Sequence, residues 1–361
     1  MSSSALLWFL LGLVALVVGA EVLVRGASGL ARSLGVSSLV VGLTVVAFGT
    51  SAPELSISLL SLLKGQADLS VGNVVGSNIA NILLILGSSA LLAPLVVSRQ
   101  LVRFDVPIMV AVSFLVLTLS WNGSLGRWDG AILVLALITY TVVLILTQKK
   151  EDEPRENPGA KSPIGKKSAG VVVQLVMVLV GLVLLVLGAG WLVDSATTFA
   201  RWMGVSELVI GLTVVAGGTS LPELATSLMA AIRGERDIAI GNVVGSCILN
   251  LLMVLGTASL VAPNGIELNP ALLSFDIPVM IAASVACLPI LFTDHLVARW
   301  EGALFLLYYF AYTSYLILSA SHHDALPIFS GIMWAFVIPL TVITLVVLTM
   351  RAWKKQRSSS T

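Results

Sequence analysis

Apolar runs of about 20 residues, the length a helix needs to cross hydrocarbon, alternate with short polar breaks along most of the chain. They predict eleven membrane helices, over 5–30, 38–63, 69–93, 104–120, 128–147, 169–199, 207–232, 238–262, 275–292, 300–319 and 331–350. Several exceed the minimum for a crossing, which implies tilt or interruption. Polar residues inside the runs are few, and they gather in the second, third, seventh and eighth.

The pattern also repeats. The segment from Gly42 to Leu55 returns from Gly211 to Leu224, 169 residues on, with changes only at Phe48/Gly217 and Ala52/Leu221. Gly72-Asn73-Val74-Val75-Gly76-Ser77 returns as Gly241-Asn242-Val243-Val244-Gly245-Ser246 at the same offset. Further on, Phe104-Asp105 echoes Phe275-Asp276, and Trp128-Asp129-Gly130 echoes Trp300-Glu301-Gly302. Gly19-Ala20 and Gly188-Ala189 match as well, so the first run is expected to be a structural helix rather than a cleaved leader. Five helices fall in each copy. An odd number forces the second copy to start from the opposite face, so the two repeats are expected to be inverted.

The expected fold is therefore an all-α integral membrane protein. Residues 1–147 form the first inverted repeat, 148–168 a charged, Pro/Gly-punctuated cytoplasmic linker, and 169–320 the second repeat; 321–361 supply an extra C-terminal helix and basic tail. Composition agrees: 57% of residues are apolar and 11% charged, against about 25% charged in soluble domains, and mean hydropathy is +1.02. The net charge of +1 says nothing of partners, and nucleic acid is not expected; the distribution of basic residues does carry information. With the N-terminus outside, only Lys64, Arg127 and Arg201 of the 20 basic residues face outward. The positive-inside rule thus predicts N-out and C-in. The lipid bilayer is the expected partner, with no obligate protein partner evident, and a plasma or bacterial inner membrane is the expected location.

The candidate chemistry sits where the repeats are most alike. Thr50 and Ser51 precede Pro53-Glu54, and Thr219 and Ser220 precede Pro222-Glu223. A carboxylate at bilayer depth costs about 2.5–3.5 kcal/mol even on the most lenient scale, and its usual occupation is ion handling. Proline removes the N–H that would serve the carbonyl four residues back, so carbonyls over 47–49 and 216–218 are expected to be free for a cation. On the next helix Ser77 and Asn81 lie four apart, as do Ser246 and Asn250, and each pair forms a narrow polar stripe. The donors are all hard oxygens, which select Na⁺, Ca²⁺ or Mg²⁺ over zinc or copper; a flexible cage of six to eight oxygens suits Ca²⁺. Two glutamates carry the charge that one Ca²⁺ neutralises.

Plainer roles compete with this reading. Membrane Ser and Thr often bond their own helix, and Gly72, Gly76, Gly241 and Gly245 fit close packing. Asn73 and Asn242 fit satisfaction of broken backbone, and Asp105 and Asp276 fit helix caps or loop anchors. Cys247 and Cys287 read as small buried residues. Ser321-His322-His323-Asp324 reads as a solvated loop. A membrane hydrolase lacks its nucleophile–base pair, since the three His lie at helix ends or in loops. A channel differs from a carrier in rate and in needing no counter-ion.

Paired Gly-Thr-Ser-x-Pro-Glu motifs, each followed by Gly-Asn-Val-Val-Gly-Ser, resemble the α-repeats of the calcium/cation antiporter superfamily, specifically its sodium/calcium exchanger branch. The likeness covers about residues 5–320. It implies a ten-helix exchanger core that is not an enzyme and carries no prosthetic group, with Ca²⁺ and Na⁺ as transported ions. It implies Glu54, Glu223, Thr50 and Thr219 as Ca²⁺ ligands. Na⁺ would use Ser51, Ser77, Ser220, Ser246 and the backbone oxygens of Ala47 and Ala216, with Asn81 and Asn250 at a middle site. The usual family stoichiometry, three Na⁺ for one Ca²⁺, would make transport electrogenic. The K⁺-dependent branch relies on an acid where Asn250 stands, so the neutral pair implies K⁺-independent exchange. Ca²⁺/H⁺ antiport is the alternative that two buried glutamates leave open.

Overall fold

The computed structural model describes residues 3–147, 170–204, 214, 216–292, 295–344, 346 and 350. The linker 148–168, the start of the predicted 207–232 helix and the basic tail lie outside the described residues. Ten helices among the described residues are long and apolar enough to cross a membrane. We number them with the shorter seventh helix in place: α1 (Ser3–Leu34), α2 (Ser38–Leu63), α3 (Ala67–Leu92), α4 (Leu101–Leu119), α5 (Arg127–Leu146), α6 (Val171–Trp202), α7 (Leu221–Ile232), α8 (Arg236–Val261), α9 (Leu272–Leu291), α10 (Arg299–Ala320) and α11 (Leu326–Thr344). The turn Ala216–Gly218 precedes α7. Helix α11 begins at Leu326, a few residues before the hydropathy pattern suggests, because Pro327 seats comfortably in a first helical turn.

Helices α3 and α8 form the centre; every residue in the most apolar window of α8 is buried. Their faces are closed by counterpart partners, α8 against α2 and α5, and α3 against α7 and α10. Contacts repeat under exchange of the repeats. Gly130 of α5 lies so close to α8 that a Cβ there would meet the Gly256 carbonyl oxygen at 2.7 Å, and one on Gly302 of α10 would meet that of Gly87 on α3 at 2.6 Å. Such small-residue contacts let membrane helices pack backbone to backbone without a hydrophobic driving force. Helix α11 has no buried residue in its apolar window and rests on α10, where the Tyr308 hydroxyl donates to the Val337 carbonyl (3.4 Å) and is 2.6 Å from Thr341 Oγ1.

Helices α1 and α6, each 32 residues long, make the most extensive helix pair in the protein. A Cβ added to Gly12 would meet Gly188 O at 2.9 Å, and one added to Gly19 would meet Gly181 O at 2.9 Å. The first contact rises along α1 as it falls along α6, so these counterparts run antiparallel. The repeats therefore point in opposite directions, as an odd helix count requires.

Four two-residue strands tie the loops together. β1 (Leu95–Val96) pairs antiparallel with β4 (Leu296–Val297), and β2 (Ser124–Leu125) with β3 (Ile266–Glu267). Each pair takes one strand from each repeat and is the image of the other. Val97 N–H donates to His295 O (2.8 Å) as Leu268 N–H donates to Gly123 O (2.9 Å). Helices α5 and α10 start alike: Asp129 accepts from the Gly126 N–H at 2.8 Å and Glu301 from the Ala298 N–H at 2.7 Å, satisfying donors a helix start leaves open.

Asp105 and Asp276 are not caps. They end π-helical turns, Leu101–Asp105 and Leu272–Asp276, and accept hydrogen bonds from the hydroxyls of Tyr140 (3.1 Å) and Tyr312 (2.8 Å). The wide turn carries each carboxylate past the helix start into reach of a tyrosine on the following helix. On another face, Glu21 of α1 forms an ion pair with Arg25 and with Arg233 at the end of α7, where Arg233 Nε donates at 2.7 Å.

Candidate cation site

The α2 helix breaks at Ser51 (φ −83°, ψ 2°), and the counterpart break falls at Ser220 (φ −88°, ψ 8°). Both lie in the bridge region, which active-site residues often occupy. Proline here starts a helix instead of kinking one: Pro53 and Pro222 stand in the first turns of Ala52–Leu63 and Leu221–Ile232. Glu54 and Glu223 fall in those same turns, where the positive end of the helix dipole favours a carboxylate. The short helical turns before the breaks, Ala47–Thr50 and Ala216–Gly218, end in carbonyls, the negative end of a helix. One repeat thus brings together an anion and a set of dipoles that both suit a cation.

Both glutamates are fully buried, and each carboxylate lies within range of the other's charge. Ser51 Oγ donates to Glu223 Oε1 at 3.4 Å, so the first repeat touches the acid of the second. Ser220 stands beside Glu54 in the mirrored place. Among the described residues no Lys or Arg pairs with either acid, which removes the structural ion pair. Two like charges in a water-poor setting require a bound cation or a proton.

Several buried oxygens on the glutamates' helices and on α3 and α8 are unpartnered. Glu54 Oε1 and Oε2, Glu223 Oε2, and the hydroxyls of Ser77, Ser220 and Ser246 are buried without a hydrogen-bond partner. The amide groups of Asn81 and Asn250 share that condition. Buried polar atoms are normally bonded; Glu54/Glu223, Ser77/Ser246 and Asn81/Asn250 are exceptions in matched pairs, beside others elsewhere such as Ser28, Ser70 and Ser89. Asn81 and Asn250 also lie in π-helical turns, Ala80–Leu86 and Asn250–Leu255, a distortion common at functional sites.

Two expectations need adjustment. The Ala47 carbonyl is not free, because the Ser51 N–H donates to it at 3.0 Å, with Thr50 Oγ1 3.4 Å away. Proline costs Gly49 its helical donor but leaves Ala47 served by Ser51, which still has an N–H. Ala216 opens the turn before the second break. Thr50 and Thr219 are buried at the breaks, but their hydroxyls donate across the site to Asn242 Oδ1 (3.0 Å) and Asn73 Oδ1 (3.4 Å).

Those asparagines do not serve the carbonyls that proline frees at Gly49 and Gly218; they bond backbone just inside the helices that follow the breaks. Asn73 Nδ2 donates to the Glu54 carbonyl (3.2 Å) and to Ser58 Oγ (3.0 Å). Asn242 Nδ2 donates to the Glu223 carbonyl (3.4 Å) and to Ser227 Oγ (2.9 Å). Ser58 and Ser227 were not among the expected residues. Their signal was available, since they too are 169 apart. Gly241 and Gly245 pack closely on α2, where added Cβ atoms would meet Leu39 O at 2.9 Å and Leu43 O at 2.7 Å; Gly72 and Gly76 meet nothing among the described residues. The His322–Asp324 segment is an exposed turn, with His323 Nδ1 accepting from the Ala325 N–H at 3.1 Å.

Two buried acids at matched breaks in oppositely directed membrane repeats fit the plan of an inverted-repeat carrier. The chain matches the model of the sodium/calcium exchanger protein family over residues 4–146 and 173–318, and it belongs to that family. It is accordingly a multi-pass membrane transporter and not an enzyme. It is 33% identical over 337 residues to the sodium/calcium exchanger MaX1 of Methanosarcina acetivorans, covering 84% of this chain and 95% of that one. It is 36% identical over 278 residues to the inner membrane protein YrbG of Escherichia coli, covering 76% and 85%. Among solved structures it resembles the sodium-calcium exchanger NCX_Mj soaked with Na⁺ and Ca²⁺, with a TM-score of 0.73 and 31% identity, covering 89% of this chain and 99% of that one.

Proposed function

We propose that this protein exchanges Na⁺ for Ca²⁺ by alternating access, with Glu54 and Glu223 as the central ligands. The observation that carries the proposal is the pair of fully buried acids at matched helix breaks, together with the buried, unpartnered oxygens on the same and neighbouring helices. Thr50 and Thr219 complete the Ca²⁺ cage. Ser51, Ser77, Ser220 and Ser246 with the Ala47 and Ala216 carbonyls serve Na⁺, and Asn81 and Asn250 form a middle site. A carbonyl has two lone pairs, so Ala47 can still reach a small monovalent ion while accepting from Ser51. The halves 1–147 and 169–320 each contribute one half-site, while 321–361 stays outside the core.

Because both acids serve both ions, Na⁺ and Ca²⁺ compete, and a carrier with its acids uncompensated does not cross readily. That enforces exchange. Three Na⁺ for one Ca²⁺ moves one net positive charge per cycle. Neutral Asn81 and Asn250 make K⁺ unnecessary. The protein lies N-out and C-in, in a plasma or bacterial inner membrane.

The test is Ca²⁺ uptake into proteoliposomes loaded with Na⁺ and diluted into Na⁺-free medium. Uptake should follow the Na⁺ gradient, ignore K⁺, and rise with an inside-positive potential set by an inert ion, since the counter-flow exports net positive charge. Uptake that follows a pH gradient and ignores Na⁺ would instead make the protein a Ca²⁺/H⁺ antiporter.

A further inference from the structure

Six hydrogen bonds around Asn73 and Asn242 form two crossed straps. In one, Thr50 of the first repeat donates to Asn242 Oδ1, and Asn242 Nδ2 donates to the Glu223 carbonyl and Ser227 Oγ of the second repeat. In the other, Thr219 of the second repeat donates to Asn73 Oδ1, and Asn73 Nδ2 donates to the Glu54 carbonyl and Ser58 Oγ of the first. Each strap begins on the hydroxyl of one half-site and ends on the backbone of the other half-site's glutamate.

The amide orientation is fixed by this chemistry. A primary amide offers two hydrogens on nitrogen and an acceptor oxygen. Flipping either asparagine would set its oxygen against the glutamate carbonyl, where no hydrogen is available. The correct orientation also claims the threonine's single hydrogen, so the hydroxyl oxygen keeps lone pairs and can act towards a cation only as an acceptor. Neither asparagine need touch an ion to do this. Groups that orient ligands from behind in this way typically matter 10–100-fold in metal affinity.

We propose that Asn73 and Asn242 are positioning residues that couple the two half-sites, so that a cation drawn to one glutamate presets the threonine and backbone of the other half. The proposal rests on the exchange reading above. It adds that the halves fill as a unit, because Thr50 and the helix bearing Glu223 share one asparagine, as do Thr219 and the helix bearing Glu54.

A double-mutant cycle tests it in purified, full-length protein reconstituted into proteoliposomes. The variants are Thr50→Val, Thr50→Ser, Asn242→Ala and the pair Thr50→Val with Asn242→Ala. The readouts are the Ca²⁺ KM, the Hill coefficient for Na⁺ and the thermal midpoint in detergent. Asn242→Ala should raise the Ca²⁺ KM by about 10–100-fold and lower the Na⁺ Hill coefficient. Thr50→Val should do the same, Thr50→Ser should restore near-normal values, and the double variant should fall well short of the product of the two single effects, exceeding Asn242→Ala only by the loss of the Thr50 ligand itself. Strictly multiplying effects, or an unchanged Hill coefficient in Asn242→Ala, would overturn the proposal. If Asn242→Ala does not fold, the mirrored cycle of Thr219→Val with Asn73→Ala gives the same reading. Failure of the unaltered protein to exchange Na⁺ for Ca²⁺ is a separate result that sinks the transport reading itself.

Discussion

At the scale of single residues, the cost of the site is two uncompensated acids. Glu54→Gln and Glu223→Gln keep the shape and delete one charge, so each should abolish Ca²⁺ transport while the protein stays folded. The check is flux together with thermal unfolding. Saturating Ca²⁺ should stabilise the unaltered protein, by about 2.7 kcal/mol at 100 times Kd, and should leave either Gln variant unmoved. Ser77→Ala and Ser246→Ala should weaken Na⁺ dependence more than Ca²⁺ binding, measured by titrating each ion in the flux assay. Equal loss of both would argue for helix disruption. The acids, prolines and polar stripes were plain in the amino-acid order because each repeats at a fixed offset. The threonine–asparagine straps were not, since their members come from three helices whose approach no local spacing encodes. The Ala47 carbonyl keeps its helical donor because proline frees the carbonyl four residues back, and Ala47 lies six back.

Among elements, the glycine seam between α1 and α6 lies in the most extensive helix pair of the protein. Gly12→Leu would drive side-chain atoms into the Gly188 backbone, where even a Cβ would meet the carbonyl at 2.9 Å. Overpacking of this kind costs about 1–3 kcal/mol, which should appear as a lower thermal midpoint. If the two long helices shift during transport, the exchange rate should fall as well. Helix positions were legible from hydropathy, because crossing a bilayer demands about 20 apolar residues. The π-helical turns were not, since one extra residue per turn leaves the apolar pattern intact. That hidden widening is why Asp105 and Asp276 looked like caps but reach Tyr140 and Tyr312. Strands of two residues carry no periodicity at all, so β1 to β4 could be found only in three dimensions.

For the whole molecule, the repeat explains both what is central and what is spare. Helix α11 has no counterpart in the first repeat and buries nothing in its apolar window. A chain ending after Ala320 should insert and exchange ions at close to the full rate, provided Tyr308, which α11 covers, tolerates exposure to lipid. A flux comparison with the full chain decides this. The remaining ten helices are interleaved: β1 with β4, β2 with β3, Gly130 against α8, Gly302 against α3, and both straps all join one repeat to the other. Either half made alone would therefore leave its acid, its seam and its loop edges without a mate. Severing the chain between 148 and 168 and producing both fragments in one cell should yield a working carrier, whereas neither fragment by itself should accumulate. The two pieces would recognise each other as subunits of a dimer do, because the covalent join contributes proximity and the interface contributes the fit.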